Sequence, residues 1–230
     1  MIYIVGSYLL GSIPHLKLLA WLRHIKLEGD YHQELYYRAG KIYGVLGVIG
    51  EFIKGAAPVL VGKALDFDIG IITAAGLAAV CGQMWPVFSL FDGEKGNSIA
   101  LAMMMALTPF ATLIGMVPVI ISLIFRTVPR LMNKSGNSGS KGIVGGQYSN
   151  SLPVGMALCF LVIPFAAWWL GEPWQIVWGG FALFFLMIIV RRLTAGLRVD
   201  LASGADVKKI IHLRLLYDRS TVAWRQDSAH

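Results

Sequence analysis

Between Cys81 and Ser98 the chain reads CGQMWPVFSLFDGEKGNS, an apolar segment ending in a short loop that carries Gly93, Lys95 and Gly96. Glycines permit positive φ and close backbone approach, so consecutive N–H groups can converge on an anion while the Lys95 ammonium adds a point charge. That chemistry is phosphate binding. A plain polar turn would use the same residues, and the spacing is not the G-x-x-x-x-G-K-S/T pattern of nucleotide-binding loops. Glu51 and Lys54 form a second candidate pair. Three residues apart in an apolar segment, they share a helical face, where ionisable groups turn to a protein interior or aqueous cavity. They can pair with each other or touch a substrate. Lys17, close to the end of its apolar block, can snorkel to the membrane surface.

The elements that must position these residues are membrane helices. A chain of 230 residues with 56% hydrophobic and 14% charged residues, and a mean hydropathy of +0.64, is not an ordinary soluble domain. Apolar blocks run Met1 to Leu22, Ile42 to Leu65, Ile69 to Leu90, Ile99 to Phe125, Leu152 to Leu170 and Trp174 to Val190. Most approach the roughly 20 residues that cross a bilayer. The first lacks a basic start and a small-residue cleavage site, and reads as a retained span rather than a signal peptide.

Basic residues set the topology. They follow span one (Arg23, Lys26, Arg38, Lys41), the fourth block (Arg126, Arg130, Lys134, Lys141) and the last block (Arg191, Arg192 and the tail to Arg225). All three regions share the cytoplasmic side only if the fourth block crosses twice, with a break at Leu107-Thr108-Pro109, since proline lacks an N–H and disfavours helix before it. The expected fold is therefore all-α and polytopic, with about seven spans, the N-terminus out and the C-terminus in. Residues 1–199 form the transmembrane domain, and 200–230 a basic cytoplasmic tail read as an interfacial helix.

A net charge of +7 and a pI near 9.5 fit cytoplasmic loops facing anionic lipid headgroups and require no nucleic acid. Cys81 and Cys159 read as packing residues, Met103 to Met105 as helix packing, and Trp168, Trp169, Trp174 and Trp178 as an interfacial belt. His15, His24, His32, His212 and His230 read as solvated or structural.

Three stretches resemble one family. SYLLGSIP (Ser7 to Pro14) resembles its opening span, EFIKGAAPVL (Glu51 to Leu60) its D-x-x-K-G-x-x-P-V run, and GQMWPVFSLFDGEKG its G-H-x-x-P-V-F-x-x-F-K/R-G-G-K-G signature. The family is the acyl-phosphate:glycerol-3-phosphate acyltransferases, PlsY. The resemblance covers Met1 to about Phe125, and RRLTAG (Arg191 to Gly196) resembles the end of the last span. It implies a cell-membrane enzyme that moves an acyl group from acyl-phosphate to glycerol 3-phosphate, giving lysophosphatidic acid, at a site facing the cytoplasm. No metal or organic cofactor is implied. Carried over by motif, Gly93, Lys95, Gly96 and Arg38 handle phosphate, while Ser12, Glu51, Lys54, Gly82 and Gln83 support them.

The departures bear on chemistry. Gln83 stands at the motif's histidine, and Asp92 and Glu94 stand at a cationic residue and a glycine. A carboxylate about 5 Å from a phosphate charge costs about 3 kcal/mol at an effective dielectric near 20. Either side chain could swing away, or pair with Lys95 or a divalent cation. In the first cytoplasmic loop only Gly29 and Arg38 fit a G-S-G-N-x-G-A-T-N run, with Glu28 at its serine. The last span has Leu186 to Val190 where H-R-E-N-I is expected, so no residue is assigned as catalytic. The alternative to an enzyme is a family-derived membrane protein that has lost catalysis and binds a lipid, metabolite or protein partner; a transporter is weaker, with no repeated broken-helix pair.

Overall fold

The computed structural model describes residues 1–27, 31–132, 151–194, 197–202, 204 and 206–218. Glu28, Gly29, Lys134, Lys141, Gly196, Arg219, Arg225 and His230 lie outside the described residues. The regular elements among the described residues are all helices: α1 (Ile2–Ser12), α2 (His15–Leu22), α3 (Tyr31–Glu34) running into a π-helical turn Leu35–Ala39, α4 (Lys41–Ala64), α5 (Ile69–Met84), α6 (Asn97–Leu107), α7 (Pro109–Met132), α8 (Ser151–Trp169), α9 (Trp174–Phe184) prolonged through a π-helical Phe185–Arg191 to Thr194, α10 (Leu197–Ala202) and α11 (Val207–Tyr217). Among the described residues six stretches are long and apolar enough to cross a membrane. Exposed side chains such as Val45, Ile49, Phe52 and Ile53 on α4 give them lipid-compatible surfaces, and Trp168, Trp169, Trp174 and Trp178 are exposed as an interfacial belt requires.

Two breaks shape the chain. The fourth block divides at Thr108, the residue expected from Pro109. Lys63 Nζ donates to the carbonyls of Ala106 (2.7 Å) and Leu107 (3.2 Å) at the end of α6, and Thr108 Oγ1 donates to Glu172 Oε1 (2.6 Å). Three hydrogen bonds from two partners, Lys63 and Glu172, thus hold the break. Helix α6 has 11 residues. It rises about 16 Å, against a hydrocarbon thickness of roughly 30 Å.

The second break divides the first block. Pro14 has no N–H, α1 ends at Ser12 and α2 starts at His15, so one apolar run makes two helices. The third block is also shorter as a helix than its composition: α5 stops at Met84, and Leu90 and Phe91 adopt left-handed φ values of 53° and 63° in the loop that follows.

By its own contacts the chain forms two compact units, Met1–Leu113 with Ala167–Gly179, and Ile114–Ala166 with Gly180–His230. In the first, α1 packs on α5 at backbone distance. A Cβ on Gly11 would strike the Ala79 carbonyl, and one on Gly82 would strike the Tyr8 carbonyl and lie 2.9 Å from Ser12 N. In the second, Phe165 and Phe181 meet edge to face at 5.2 Å. Here Arg192 donates to the carbonyls of Leu215 and Pro153, and Arg214 to Asp200 Oδ2 at 2.6–2.7 Å. Asp200 is 0% and Arg214 3% exposed, so a dry ion pair joins α10 to α11, and the bonds from Arg192 to the Leu215 carbonyl and from Arg214 to the Arg192 carbonyl tie α11 to the end of α9.

Candidate functional site in the first unit

Pro14 creates the site. The bend leaves the Ile13 carbonyl outside any helix, where it accepts the His15 N–H (2.9 Å) and a proton of Lys54 Nζ (2.8 Å) from α4. The Lys54 ammonium also donates to Gln83 Oε1 and to His15 Nδ1 (3.3 Å). His15 Nε2 sits 2.9 Å from the Gly47 carbonyl. A carbonyl only accepts, so Nε2 carries the ring proton and Nδ1 is free to receive Lys54. All three N–H directions of Lys54 are therefore used.

Gln83 extends the network. With Oε1 facing Lys54, its amide nitrogen donates to Glu51 Oε1 at 3.1 Å. The expected direct ion pair between Glu51 and Lys54 is corrected here: a neutral amide, donor at one end and acceptor at the other, bridges them. Glu51 is 3% exposed and also meets His32 Nε2 at 3.1 Å, while Glu94 Oε2 lies 3.8 Å from the same nitrogen. Three segments converge at this point: α3, α4 and the loop before α6. Glycine at residue 47 makes room for Leu16, with which a Cβ there would collide, and His32 Nδ1 lies beside the same position at ordinary contact distance, 3.7 Å from that Cβ. Leu16 and Ala20 of α2 in turn pack on Leu35 and Ala39, fixing the segment that carries His32.

The loop is folded onto the network by its backbone. Glu94 N–H donates to the Gln83 carbonyl (3.2 Å), and a Cβ on Gly93 would collide with that oxygen and with Pro86. Gly93 does not have positive φ; its need for glycine is steric. Gly96 does have it, at +78°, where it turns the chain into α6. Glu94 turns inward towards His32 and Glu51. Its carboxyl is pushed up to about 8, first by burial and then by the Glu51 charge. Burial, then the charges of Asp92 and Glu94, raises the Tyr31 phenol, which stays a hydroxyl donor.

A small, partly open cleft lies beside the network, lined by Ser12, Lys17, Tyr31, Gln83, Gly93 and Glu94. Asp92 also lines it. Ser12 is fully buried with Oγ donating to the Tyr8 carbonyl (2.9 Å), seated by Gly82. Ser12, Glu51, Lys54, Gly82, Gln83 and Gly93 thus gather in one place. Lys95 is exposed on the loop and Arg38 pairs with Glu34 at 2.7 Å; neither lines the cleft.

Four residues of this region were not legible as site residues. Lys17, expected to snorkel, stands at the cleft wall; His15 and His32, expected to be solvated or structural, and Glu94, expected to be a liability, are network members. Pro14 was a usable signal for the first two, because a proline inside an apolar block predicts a bend with a free carbonyl and polar neighbours. His32 gave no signal, since nothing local says that its loop folds back over Gly47.

Comparison with known proteins bears on this geometry. A family model described as Glycerol-3-phosphate acyltransferase matches residues 1–196. The chain is 40% identical over 118 residues to a glycerol-3-phosphate acyltransferase of Trichlorobacter lovleyi, covering 49% of this chain and 61% of that one. It is 38% identical over 116 residues to that of Aquifex aeolicus, covering 48% and 60%. The matched region thus spans about 60% of the length of these curated relatives. The fold is similar to a crystal structure of PlsY, an integral membrane glycerol 3-phosphate acyltransferase, in its lysophosphatidic acid form. The TM-score is 0.63 at 23% identity, covering 88% of this chain and 91% of that one. The glycerol 3-phosphate form matches with a TM-score of 0.61, also at 23% identity, covering 88% and 92%.

Proposed function

This chain belongs to the glycerol-3-phosphate acyltransferase family, and we propose that it transfers an acyl group from acyl-phosphate to the 1-hydroxyl of glycerol 3-phosphate. The hydroxyl oxygen bonds to the acyl carbon, the acyl–phosphate bond breaks, the hydroxyl proton passes to the departing phosphate, and lysophosphatidic acid and hydrogen phosphate result. The donor is already an activated anhydride, so the protein's task is to bind two phosphorylated molecules, align hydroxyl with carbonyl and balance charge.

The observation that carries this reading is the cleft at the Pro14 bend, where Ser12 and Gly93 of two family-like motifs share a wall with Lys17. Phosphate is received by the loop backbone at Gly93 and Gly96 and by the charges of Lys17 and Lys95. Arg38 takes part only by leaving Glu34. Lys54 and Glu51 act as supports: Lys54 has spent its donors on Ile13, Gln83 and His15.

The topology follows the basic loops, with α6 as a seventh, short crossing, the N-terminus out, and the cleft and tail at the cytoplasmic face. Residues 1–199 carry the activity. The basic tail from residue 200 meets anionic headgroups.

The test is to incubate the purified chain with acyl-phosphate and glycerol 3-phosphate and measure lysophosphatidic acid by mass spectrometry. Product formation that depends on both substrates is expected. No product above the protein-free rate would overturn the reading and leave a family-derived binding protein.

A further inference from the structure

The geometry points to a divalent transition-metal site, of the Zn²⁺ class, formed by His32 Nε2 and the carboxylates of Glu51 and Glu94. The three donor atoms lie within 4.8 Å of one another. His32 Nε2 is 3.1 Å from Glu51 Oε1 and 3.8 Å from Glu94 Oε2. Donors held about 2.0–2.1 Å from a tetrahedral ion lie roughly 3.3 Å apart, so the two measured separations bracket that edge. One imidazole and two carboxylates suit zinc, with a fourth position left for water or an anion; an all-oxygen shell would be needed to favour Mg²⁺ or Ca²⁺.

The surroundings match what a metal site requires beyond its ligands. A ligating carboxylate needs an outer donor to fix it, and Gln83 Nε2 holds Glu51 at 3.1 Å, itself fixed by Lys54. Lys54, the buried cation three residues from Glu51, spends its N–H groups on neutral acceptors rather than on the carboxylates. Access is also present. His32 is 30% and Glu94 22% exposed, and Glu94 lines the cleft, whereas Glu51 forms the buried floor at 3%. An ion here would pin α3 and the loop before α6 to α4. This inference does not depend on the acyl-transfer reading. Glu94 stands where the motif quoted above has glycine, so the site is a property of this chain's own residues.

The experiment uses the full chain, without a histidine tag, in detergent micelles. Equilibrium dialysis against Zn²⁺ at neutral pH should give about one ion per chain and a rise in unfolding temperature. Co²⁺ should give the intense visible absorption of a four-coordinate ion. Glu94→Gly and His32→Ala should each weaken Zn²⁺ binding at least tenfold and abolish the Co²⁺ bands, with helicity unchanged; Glu94→Gln serves if the glycine variant does not fold. Absence of saturable Zn²⁺ binding would overturn the site and leave a carboxyl pair held by protons alone. Binding that survives both substitutions, or is removed instead by His212→Ala, would overturn it as an adventitious surface imidazole. Neither readout uses acyl-phosphate, so a metal-free active enzyme and a metal-binding inactive protein are distinguishable.

Discussion

Among the described residues each unit of this molecule buries a network built around charged side chains, and the two networks differ in what they leave open. In the second unit Asp200 and Arg214 are almost fully buried, and Arg192 and Arg214 spend further donors on backbone carbonyls. In the first, the chain Lys54, Gln83, Glu51, His32, Glu94 runs from a dry floor to a solvent-reached cleft. A charge pair with no access can only hold helices together, and its removal is read in stability. A graded network can present charge to a ligand, and its removal is read first in function.

The sharpest way to break the comparison is to open the closed network. Asp200→Ala strands the Arg214 guanidinium in a dry environment, which typically costs about 3–5 kcal/mol. Thermal unfolding in micelles should show the largest loss of any single change discussed here. The paired swap Asp200→Leu, Arg214→Met should recover most of it, because a buried ion pair replaced whole by apolar groups is often close to neutral. A pair whose single and double changes cost the same would not be a closed staple.

Lys54→Met tests the graded network. It leaves Gln83 Oε1 and His15 Nδ1 without their donor, while the Ile13 carbonyl keeps the His15 N–H, and each buried orphan costs about 1–3 kcal/mol, partly offset by the apolar replacement. Stability should fall less than with Asp200→Ala. Lysophosphatidic acid formation should fall more than tenfold, because Gln83 no longer has a fixed orientation with which to hold Glu51. Equal losses of stability and no loss of activity in the folded fraction would make the first network a staple as well.

Gly82→Ala acts on the seat rather than the network. The added Cβ meets the Tyr8 carbonyl and Ser12 N, both backbone, so α1 and α5 must separate. Overpacking of this kind costs about 1–3 kcal/mol. The displaced Ser12 should raise KM for glycerol 3-phosphate several-fold, while Gly6→Ala, where a Cβ meets nothing within 4 Å, should change neither quantity.

What the sequence disclosed follows the same division. Helical class, block positions and the break at Thr108 were legible because apolar runs and proline act locally. The Pro14 bend was legible by the same rule, but the polar network it gathers was not, because its partners come from α4 and α5 far along the chain. Residue roles at Glu51, Lys54 and Gln83 were legible as a group but not as a wiring diagram, since Gln83 bridges α4 and α5 from 29 residues beyond Lys54. Glu94 was read against a motif as a misplaced charge; only the folded loop shows it turned to His32. The Asp200–Arg214 pair was lost within a basic tail that looked like solvated charge, because nothing in a 14-residue separation says the two are buried together.

The smallest expected effects fall on two exposed cations and decide where the open network meets its ligand. Arg38 is 53% exposed and held by Glu34 one helical turn away. Such a surface pair contributes about 0.2–1 kcal/mol, so Arg38→Ala should barely alter unfolding. Lys95 is also exposed and should be equally silent in stability. The two separate in function: Lys95 shares the loop of Gly93, so Lys95→Ala should raise KM for glycerol 3-phosphate, and Lys17→Ala, at the cleft wall, should raise it at least as much. Arg38→Ala should leave KM within about twofold, since its guanidinium must abandon Glu34 before it can reach a phosphate, a modest gain for a comparable loss. An Arg38→Ala effect larger than that of Lys17→Ala would mean that the loop bearing Arg38 rearranges on binding, and that the cleft at the Pro14 bend is only part of the phosphate site.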